Sequence, residues 1–127
     1  MNRSKKSFKL EDLSSYKISA DLSNIIYRLV KEWTFLDQKT VGLQWIRSTD
    51  SIAANIAEGF GRFHKKDKIK FFYNARASVY ESAHWAKVTK ERELLSEEDY
   101  KIIMKLIQKL PKELNFLIKF TNINLTI

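Results

Sequence analysis

The residues of this sequence that are best suited to chemistry are polar side chains spaced along one predicted helix. They recur every three or four residues and therefore share one helical face: Arg47, Ser51, Asn55, Glu58 and Arg62. Such a face is a solvated surface, a buried network that fixes helix register or subunit pairing, or a catalytic constellation. Catalysis is the least supported of the three, because Glu58 has no second carboxylate at helical spacing to form an acid–base pair.

Other catalytic chemistries lack the residues that they require. The sequence has no cysteine, which excludes disulfides, thiolate metal sites and cysteine nucleophiles. Of the two histidines, His64 lies among lysines, which repel a metal cation, and His84 has only Tyr80 and Val88 four residues away. Gly59-Phe-Gly61 follows a helical pattern instead of a strand, unlike a phosphate-binding loop. We therefore predict a protein that is not an enzyme and has no metal site and no cofactor.

Charge is distributed unevenly along this chain of net charge +8. Residues 1–9 hold four bases and no acid, and residues 61–76 hold six bases against Asp67, so these segments carry +4 and +5 and the remainder −1. Two basic segments on a near-neutral body predict a polyanion partner, although a solvated surface explains the same charges. The residues expected to contact nucleic acid are Arg62, Lys65, Lys66, Lys68 and Lys70.

The hydrophobic pattern predicts four helices. A chain of 127 residues suits one domain, and three glycines and one proline are too few for the turns of an all-β fold. Apolar residues recur at helical spacing over four segments: Ser14–Leu36, Asp37 or Lys39 to Phe60, Lys65–Leu94 and Ser96–Phe120. The loops between them are short, so neighbouring helices should be antiparallel. The predicted fold is all-α, an antiparallel up-down-up-down four-helix bundle.

Local signals set the expected ends of these helices. Ser14 or Ser15 is the predicted cap of the first helix, and Asp37 is that of the second. The glycines of Gly59-Phe-Gly61 are expected to end the second helix in the left-handed conformation. Ser96 should start the fourth helix.

Two helices carry further features. The third helix has apolar or small residues on two adjacent rows, which predicts that both the bundle core and a second subunit cover it. Pro111 is expected to kink or split the fourth helix, because proline lacks a backbone N–H.

Composition predicts both the segments that flank the bundle and the cellular location of the protein. Residues 1–10 are predicted to form a basic flexible arm, residues 11–120 the bundle and residues 121–127 a tail. The basic N-terminus is not followed by the apolar run of a signal peptide, and no stretch reaches about 18 apolar residues. We therefore expect a cytoplasmic protein without a membrane partner.

One segment of the second predicted helix resembles a family signature. It reads Ser51-Ile-Ala-Ala-Asn-Ile-Ala-Glu-Gly-Phe-Gly-Arg62, and the bacterial four-helix-bundle family that includes the 23S rRNA intervening-sequence proteins has Ser-Ile-x-x-Asn-Ile-Ala-Glu-Gly-x-Gly-Arg there. A second block, with Phe71-Phe72, Ala75, Ser78 and Glu81, is also similar, as is the segment Ser96-Glu-Glu-Asp-Tyr100. The resemblance covers about residues 11–120, with Ala77-Ser78 where family members usually have Gly-Ser.

The resemblance implies an assembly and a role for the polar face. The family is similar to the accessory variability determinant protein of diversity-generating retroelements, a basic, barrel-shaped homopentamer that binds reverse transcriptase and nucleic acid. A homo-oligomer of five subunits is therefore implied, with a polar network between helices or subunits. The residues assigned to this network are Arg47, Ser51, Asn55, Glu58, Arg62, Ser78 and Glu81.

Two functions remain open. The first is a non-enzymatic homo-oligomeric bundle that binds nucleic acid, structured RNA in particular, through its basic surface. We expect weak sequence preference, because the chain lacks the motifs of sequence-specific RNA-binding modules. The alternative is a protein-interaction scaffold, such as an accessory subunit of a reverse transcriptase or another nucleic-acid enzyme.

Overall fold

The computed structural model describes residues 8–126, which form helices and the turns that join them. After a short 3-10 helix at Leu10–Asp12 come four long helices: α1 (Ser14–Val30), α2 (Leu43–Gly61), α3 (Lys65–Glu91) and α4 (Glu97–Asn124). Each long helix contacts the next one along the chain, and α4 contacts α1, so the four enclose one core. The predicted all-α four-helix bundle is confirmed.

The core consists of one buried stripe from each helix. Its residues recur every three or four positions, as amphipathic helices require, and burying each large side chain contributes roughly 1.5–3 kcal/mol. The apolar spacing of the sequence places Trp45, Ile52, Ile56 and Phe60 on one side of α2; the first three are fully buried and Phe60 is partly exposed. The other helices supply further fully buried side chains: Leu22, Ile26, Phe72, Val79, Ile103, Leu110 and Leu114.

The first helix ends at Val30, so its predicted extension to Leu36 is wrong. The side-chain amide of Gln38 donates hydrogen bonds to the carbonyl oxygens of Val30 (3.1 Å) and Lys31 (3.0 Å). These bonds supply donor partners at the helix end, where the last carbonyls lack the N–H groups of a following turn; the Val30 carbonyl also accepts the N–H of Trp33. Leu36 lies beyond this end and is 69% exposed.

Short helical turns lead from α1 into α2, at Phe35–Asp37 and, in π-helical form, at Gln38–Gly42. Thr34 caps this segment: its Oγ1 accepts a hydrogen bond from the backbone N–H of Asp37 at 3.4 Å. The predicted cap at Asp37 is therefore wrong by three residues. The predicted serine cap of α1 is also wrong, because Leu13 occupies that position.

Both glycines near the end of α2 lie within the helix, and neither has a positive φ, so their predicted left-handed conformation is wrong. The chain leaves the helix at Arg62, whose backbone is extended (φ −74°, ψ 152°). Gly59 has a different role. A Cβ atom on it would lie 2.6 Å from Cε1 of Phe72 and 3.0 Å from the carbonyl oxygen of Lys68. The absence of a side chain thus allows α2 and α3 to approach closely.

The two predicted rows of α3 both contribute buried residues to the core of one chain. Phe72, Val79 and Ala86 lie on one row, and Ala75 and Ser82 on the other. Phe71 and Trp85, which belong to the second row, stay partly exposed, so cover by a second subunit remains a prediction. A third row faces solvent and exposes Tyr73, Ala77, Tyr80 and His84.

The third helix ends at Glu91, three residues before the predicted Leu94, in a Schellman motif. The N–H of Glu93 donates to the carbonyl of Lys90 (3.0 Å), and that of Leu94 donates to the carbonyl of Thr89 (2.9 Å). Glu93 has a φ of 61°, the left-handed conformation that glycine normally supplies here.

Glu93→Gly is expected to raise the free energy of unfolding by about 1 kcal/mol, because glycine removes the steric cost of the left-handed conformation. Urea titration measures the change. Glu93→Ala is the control, since it removes the same charge but keeps Cβ, and it should bring no gain. Equal gains in both variants would attribute the effect to the lost carboxylate.

The fourth helix begins as predicted, with Ser96 Oγ accepting the N–H of Asp99 at 3.0 Å. Pro111 does not split it, and it continues to Asn124, four residues beyond the predicted Phe120 and into the predicted tail. Leu110 and Leu114 are fully buried on either side of the proline. Core packing therefore holds both parts in one helix although proline removes a backbone hydrogen bond.

The predicted N-terminal arm is described only in part. Residues 1–7 lie outside the described residues, whereas Phe8 and Lys9 are exposed and Leu10 begins the 3-10 helix. In the part of the chain that the structure describes, no helix combines the length and apolarity needed to span a membrane.

Candidate nucleic-acid interface

One end of the bundle gathers basic residues from segments that are distant in sequence. It contains the loop 62–64 between α2 and α3. The ring of Phe8 lies 6.5 Å from that of Phe60, and the Lys65 ammonium donates to the carbonyl of Asn122 at 3.4 Å. The first described residues and the end of α4 therefore lie here too. We define this basic end by five cations: Lys9, Arg62, Lys65, Lys66 and Lys70.

Arg62 is held by two neighbours. Its guanidinium lies 2.7 Å from a carboxylate oxygen of Glu58, four residues earlier, and 4.8 Å from the ring centroid of Phe71. The two charged side chains are about half exposed, at 45% and 49%. This contact fixes the guanidinium but also offsets its charge, so Arg62 contributes less to an attraction for phosphate than the neighbouring lysines.

Lys68, which we predicted to contact nucleic acid, is turned toward the protein. Its ammonium donates to the carbonyls of Phe60 (2.8 Å) and Gly59 (3.3 Å) and lies 5.8 Å from the Phe60 ring centroid. It therefore satisfies carbonyls at the end of α2, as cations near helix C-termini do. Partial burial lowers the pKa of Lys68 below its ordinary value.

The remaining lysines of the predicted set are available to solvent. Lys66 and Lys70 are exposed, and Lys65 is partly exposed. They follow His64, which occupies the N-cap of α3 without making a side-chain cap. The helix N-terminus adds partial positive charge to that of the lysines.

The connection between α3 and α4, at the opposite end of the bundle, is acidic. Residues 91–99, which join α3 to α4, hold five acids against Arg92 and carry −4, whereas residues 61–76 carry +5. Glu97 forms an ion pair with Lys90 at 2.9 Å. Their hydrogen bond raises the pKa of Lys90 and lowers the pKa of Glu97. This connection therefore differs from the basic end in the sign of its charge.

The polar network predicted on α2 and α3 is assembled in part. The Asn55 amide donates to the hydroxyl (2.9 Å) and the carbonyl (2.8 Å) of Ser51, and the Ser78 hydroxyl donates to that of Ser51 at 2.9 Å. A second pair, from Ser82 to Ser48 at 3.1 Å, is buried, and we did not predict it. Its serines lie three and four residues from Ser51 and Ser78, so periodicity contained the signal.

Within the part of the chain that the structure describes, the other residues assigned to this network do not take part in it. Arg47 is exposed, and Glu58 and Arg62 form their own pair along the helix surface. Glu81 accepts a hydrogen bond from the Trp85 indole at 3.3 Å within α3. Within this network, α2 and α3 are therefore linked by two pairs of serine hydroxyls, whereas the Asn55 amide bonds within α2.

Glu58→Ala is expected to change the free energy of unfolding by no more than about 0.5 kcal/mol, because exposed ion pairs contribute little. Chemical denaturation measures this, with Glu81→Ala as a control that removes another exposed carboxylate. A loss of about 3 kcal/mol or more would instead indicate a buried charge pair and contradict the exposed position of Glu58.

A cavity of about 390 Å³ adjoins the basic end and is lined mainly by apolar side chains, including Phe8, Phe60 and Phe120. Lys68 is the only ionisable residue among its described lining residues, so it holds no acid–base pair. Glu81 and His84 on α3 have the Glu-x-x-His spacing of bundle metal sites, but both are exposed. Residues 8–126 contain no group of three side chains that could hold a metal ion.

Aromatic side chains accompany the cations at the basic end. Phe63 is 69% exposed, and its ring lies 5.1 Å from that of His64. Phe116 and Phe120, with rings 6.1 Å apart, are exposed near the end of α4. Helical periodicity did not identify Phe63, because a loop residue belongs to no helical face.

The chain is similar to a protein family and to a solved structure. The family model described as 23S rRNA-intervening sequence protein matches residues 11–116. A crystal structure of a protein of unknown function from the S23 ribosomal protein family of Bacteroides thetaiotaomicron has a TM-score of 0.74 and 28% sequence identity, and the match covers 83% of this chain and 98% of that chain. Neither description names an enzymatic activity. No curated protein is significantly similar.

Proposed function

Since the chain belongs to the 23S rRNA-intervening sequence protein family, we propose that it is a non-enzymatic protein whose basic end binds structured RNA. The observation that carries this proposal is the gathering of exposed cations from separate segments at one end of the bundle. The acidic connection between α3 and α4 at the opposite end argues against a uniform solubilising charge. A localised field of one sign attracts a partner of the opposite sign.

The chemistry of the basic end fits phosphate. The ammonium groups of Lys65, Lys66 and Lys70 would neutralise backbone phosphates and release condensed counterions. Such contacts carry no sequence information. Weak sequence preference therefore follows from the same residues that provide affinity. The family name refers to 23S rRNA, so RNA is the first polyanion to test.

We further propose that the protein acts as a homo-oligomer, with five subunits suggested by the family resemblance. The outward row of α3 supports this, because Tyr73 and Tyr80 expose their rings on either side of Ala77. Aromatic residues are enriched in protein interfaces. In an assembly the basic end would recur in each subunit, and several copies could bind one RNA together. Light scattering that finds a monomer of about 15 kDa would reject this part.

Direct binding tests the central proposal. Fluorescence anisotropy with a structured RNA should show binding at about 50 mM salt that weakens steeply by about 200 mM, because counterion release dominates phosphate contacts. No binding at the lower salt would refute the proposal. Affinity without salt dependence would also refute it, because the basic end would then not be the contact surface.

A protein-interaction scaffold is the second candidate function, as an accessory subunit of a nucleic-acid enzyme such as a reverse transcriptase. Exposed apolar side chains at the end of α4, at Phe116, Phe120 and Ile123, favour it. Apolar patches of this kind mark protein contacts. A purified candidate enzyme that binds the protein but not a Phe116→Ser/Phe120→Ser variant, with RNA binding absent, would support the scaffold.

A further inference from the structure

Phe63 is a large apolar side chain that the fold does not use. It lies in the three-residue loop between α2 and α3, and its ring is 69% exposed. The preceding Arg62 is placed over Phe71, which anchors the loop, and the Phe63 ring makes an edge contact with His64 while most of its surface stays exposed. The exposed ring contributes little to the hydrophobic core, and stability alone does not account for it.

Charge around this ring limits what it can bind. Arg62 precedes Phe63, His64 follows, and Lys65 and Lys66 begin α3. An apolar ring among cations suits a partner that has both a flat apolar surface and negative charge. An unpaired nucleotide has both, since its base stacks on aromatic rings while its phosphate pairs with lysine or arginine.

We propose that Phe63 is a stacking platform for an unpaired base, so that the basic end binds single-stranded loops, bulges or ends of RNA in preference to continuous duplex. This rests on the proposed RNA binding and names the part of the RNA that is recognised. Bases within a duplex are stacked on one another, and their faces are unavailable to the ring. Stacking also tolerates any base, in agreement with weak sequence preference.

The test compares two RNA probes on the full chain. One is an oligouridylate of about 15 nucleotides, which has little structure of its own, and the other is an RNA duplex of similar length. The parent protein should bind the oligouridylate more tightly. Phe63→Leu should weaken that affinity about 10-fold and leave duplex affinity unchanged. The salt dependence should not change, because the substitution removes no cation.

Phe35→Leu is the matched control. Phe35 is 74% exposed and has Lys39 5.5 Å from its ring centroid, but it precedes α2 at the opposite end of the bundle. It should have no effect on either probe. Phe63→Trp should retain affinity for the oligouridylate, and its added fluorescence should be quenched by a stacked base.

The possible outcomes distinguish a failure of the stacking platform from a failure of the proposed RNA binding. If the parent binds both probes equally and Phe63→Leu changes neither affinity, RNA binding stands and the platform is rejected. If the parent binds neither probe at about 50 mM salt, both proposals fail. If light scattering shows that Phe63→Leu changes the subunit number, the ring is a protein contact and the platform is rejected as well.

Discussion

Gly59→Ala should lower the free energy of unfolding by about 1–3 kcal/mol, the usual cost of forcing extra volume into a packed core. The added methyl group would lie 2.6 Å from one atom of the Phe72 ring and 2.8 Å from another. Phe72 is only 2% exposed, so its ring has no solvent to move into. The third neighbour, the carbonyl oxygen of Lys68, is backbone within α3 and can shift only with that helix.

Gly61→Ala is the control for this prediction. Gly61 lies two residues later in the same helix, and nothing lies within 4 Å of a Cβ placed on it. Alanine should be neutral there or stabilise by up to about 1 kcal/mol, since it restricts the unfolded chain and favours helix. Urea denaturation curves measure both variants. Equal changes at the two positions would attribute the effect of Gly59 to helix propensity and refute the close contact.

A double-mutant cycle tests whether Phe72 is the residue that the added methyl group of Gly59→Ala would contact. Phe72→Leu alone should destabilise, because it removes buried volume. In its presence Gly59→Ala should cost less than in the parent, because the ring that meets the methyl group has gone. The coupling energy from this double-mutant cycle should exceed about 0.5 kcal/mol, as for residues in contact. If the effects of the two substitutions on the free energy of unfolding are strictly additive, the Phe72 ring is not the source of the strain.

Lys65→Gln/Lys66→Gln/Lys70→Gln should weaken binding to single-stranded RNA by about 10- to 100-fold at physiological salt. Each lost phosphate contact lowers the slope of log affinity against log salt by about 0.7, so three contacts lower it by about 2. Lys68 is left in place, because its ammonium donates two hydrogen bonds to carbonyls at the end of α2, whereas Lys65 donates one longer bond, of 3.4 Å, to Asn122. Anisotropy titrations at several salt concentrations measure both quantities.

The matched variant removes the same charge from the other end of the bundle. Lys31, Lys87 and Lys101 are exposed there, and their replacement by glutamine should leave the salt slope unchanged. If both triple variants weaken binding equally, only net charge matters and no particular surface binds RNA. If neither triple variant weakens binding, RNA contacts the protein outside the basic end.

Sequence periodicity was sufficient to predict the fold, because the core side chains recur at helical spacing with polar side chains between them. Trp45, Ile52 and Ile56 were assigned to the core of α2 and are fully buried. The errors lie at helix ends, where tertiary contacts decide. The amide that caps α1 belongs to Gln38, eight residues beyond Val30, and no local pattern indicates that bond.

The candidate site was predictable in composition but not in orientation. The sequence identifies a lysine cluster at the start of α3, yet the direction of Lys68 depends on the carbonyls of another helix. Gly59 illustrates the same limit, because it was read as a helix terminator and is instead the point where α2 and α3 come close. Spacing shows which residues share a face, whereas the neighbouring helix determines what that face contacts.

The excess of cations at the basic end and the acidic connection between α3 and α4 give the bundle an electric dipole along its long axis. The antiparallel arrangement largely cancels the backbone dipoles of the helices, so side chains produce this polarity. At low salt the field of an approaching polyanion would exert a torque on the molecule and turn its cationic end forward before contact. At physiological ionic strength the field decays over about 8 Å, far less than the roughly 40 Å length of α3. Orientation before the encounter should therefore raise association rates in dilute salt and have little effect on dissociation.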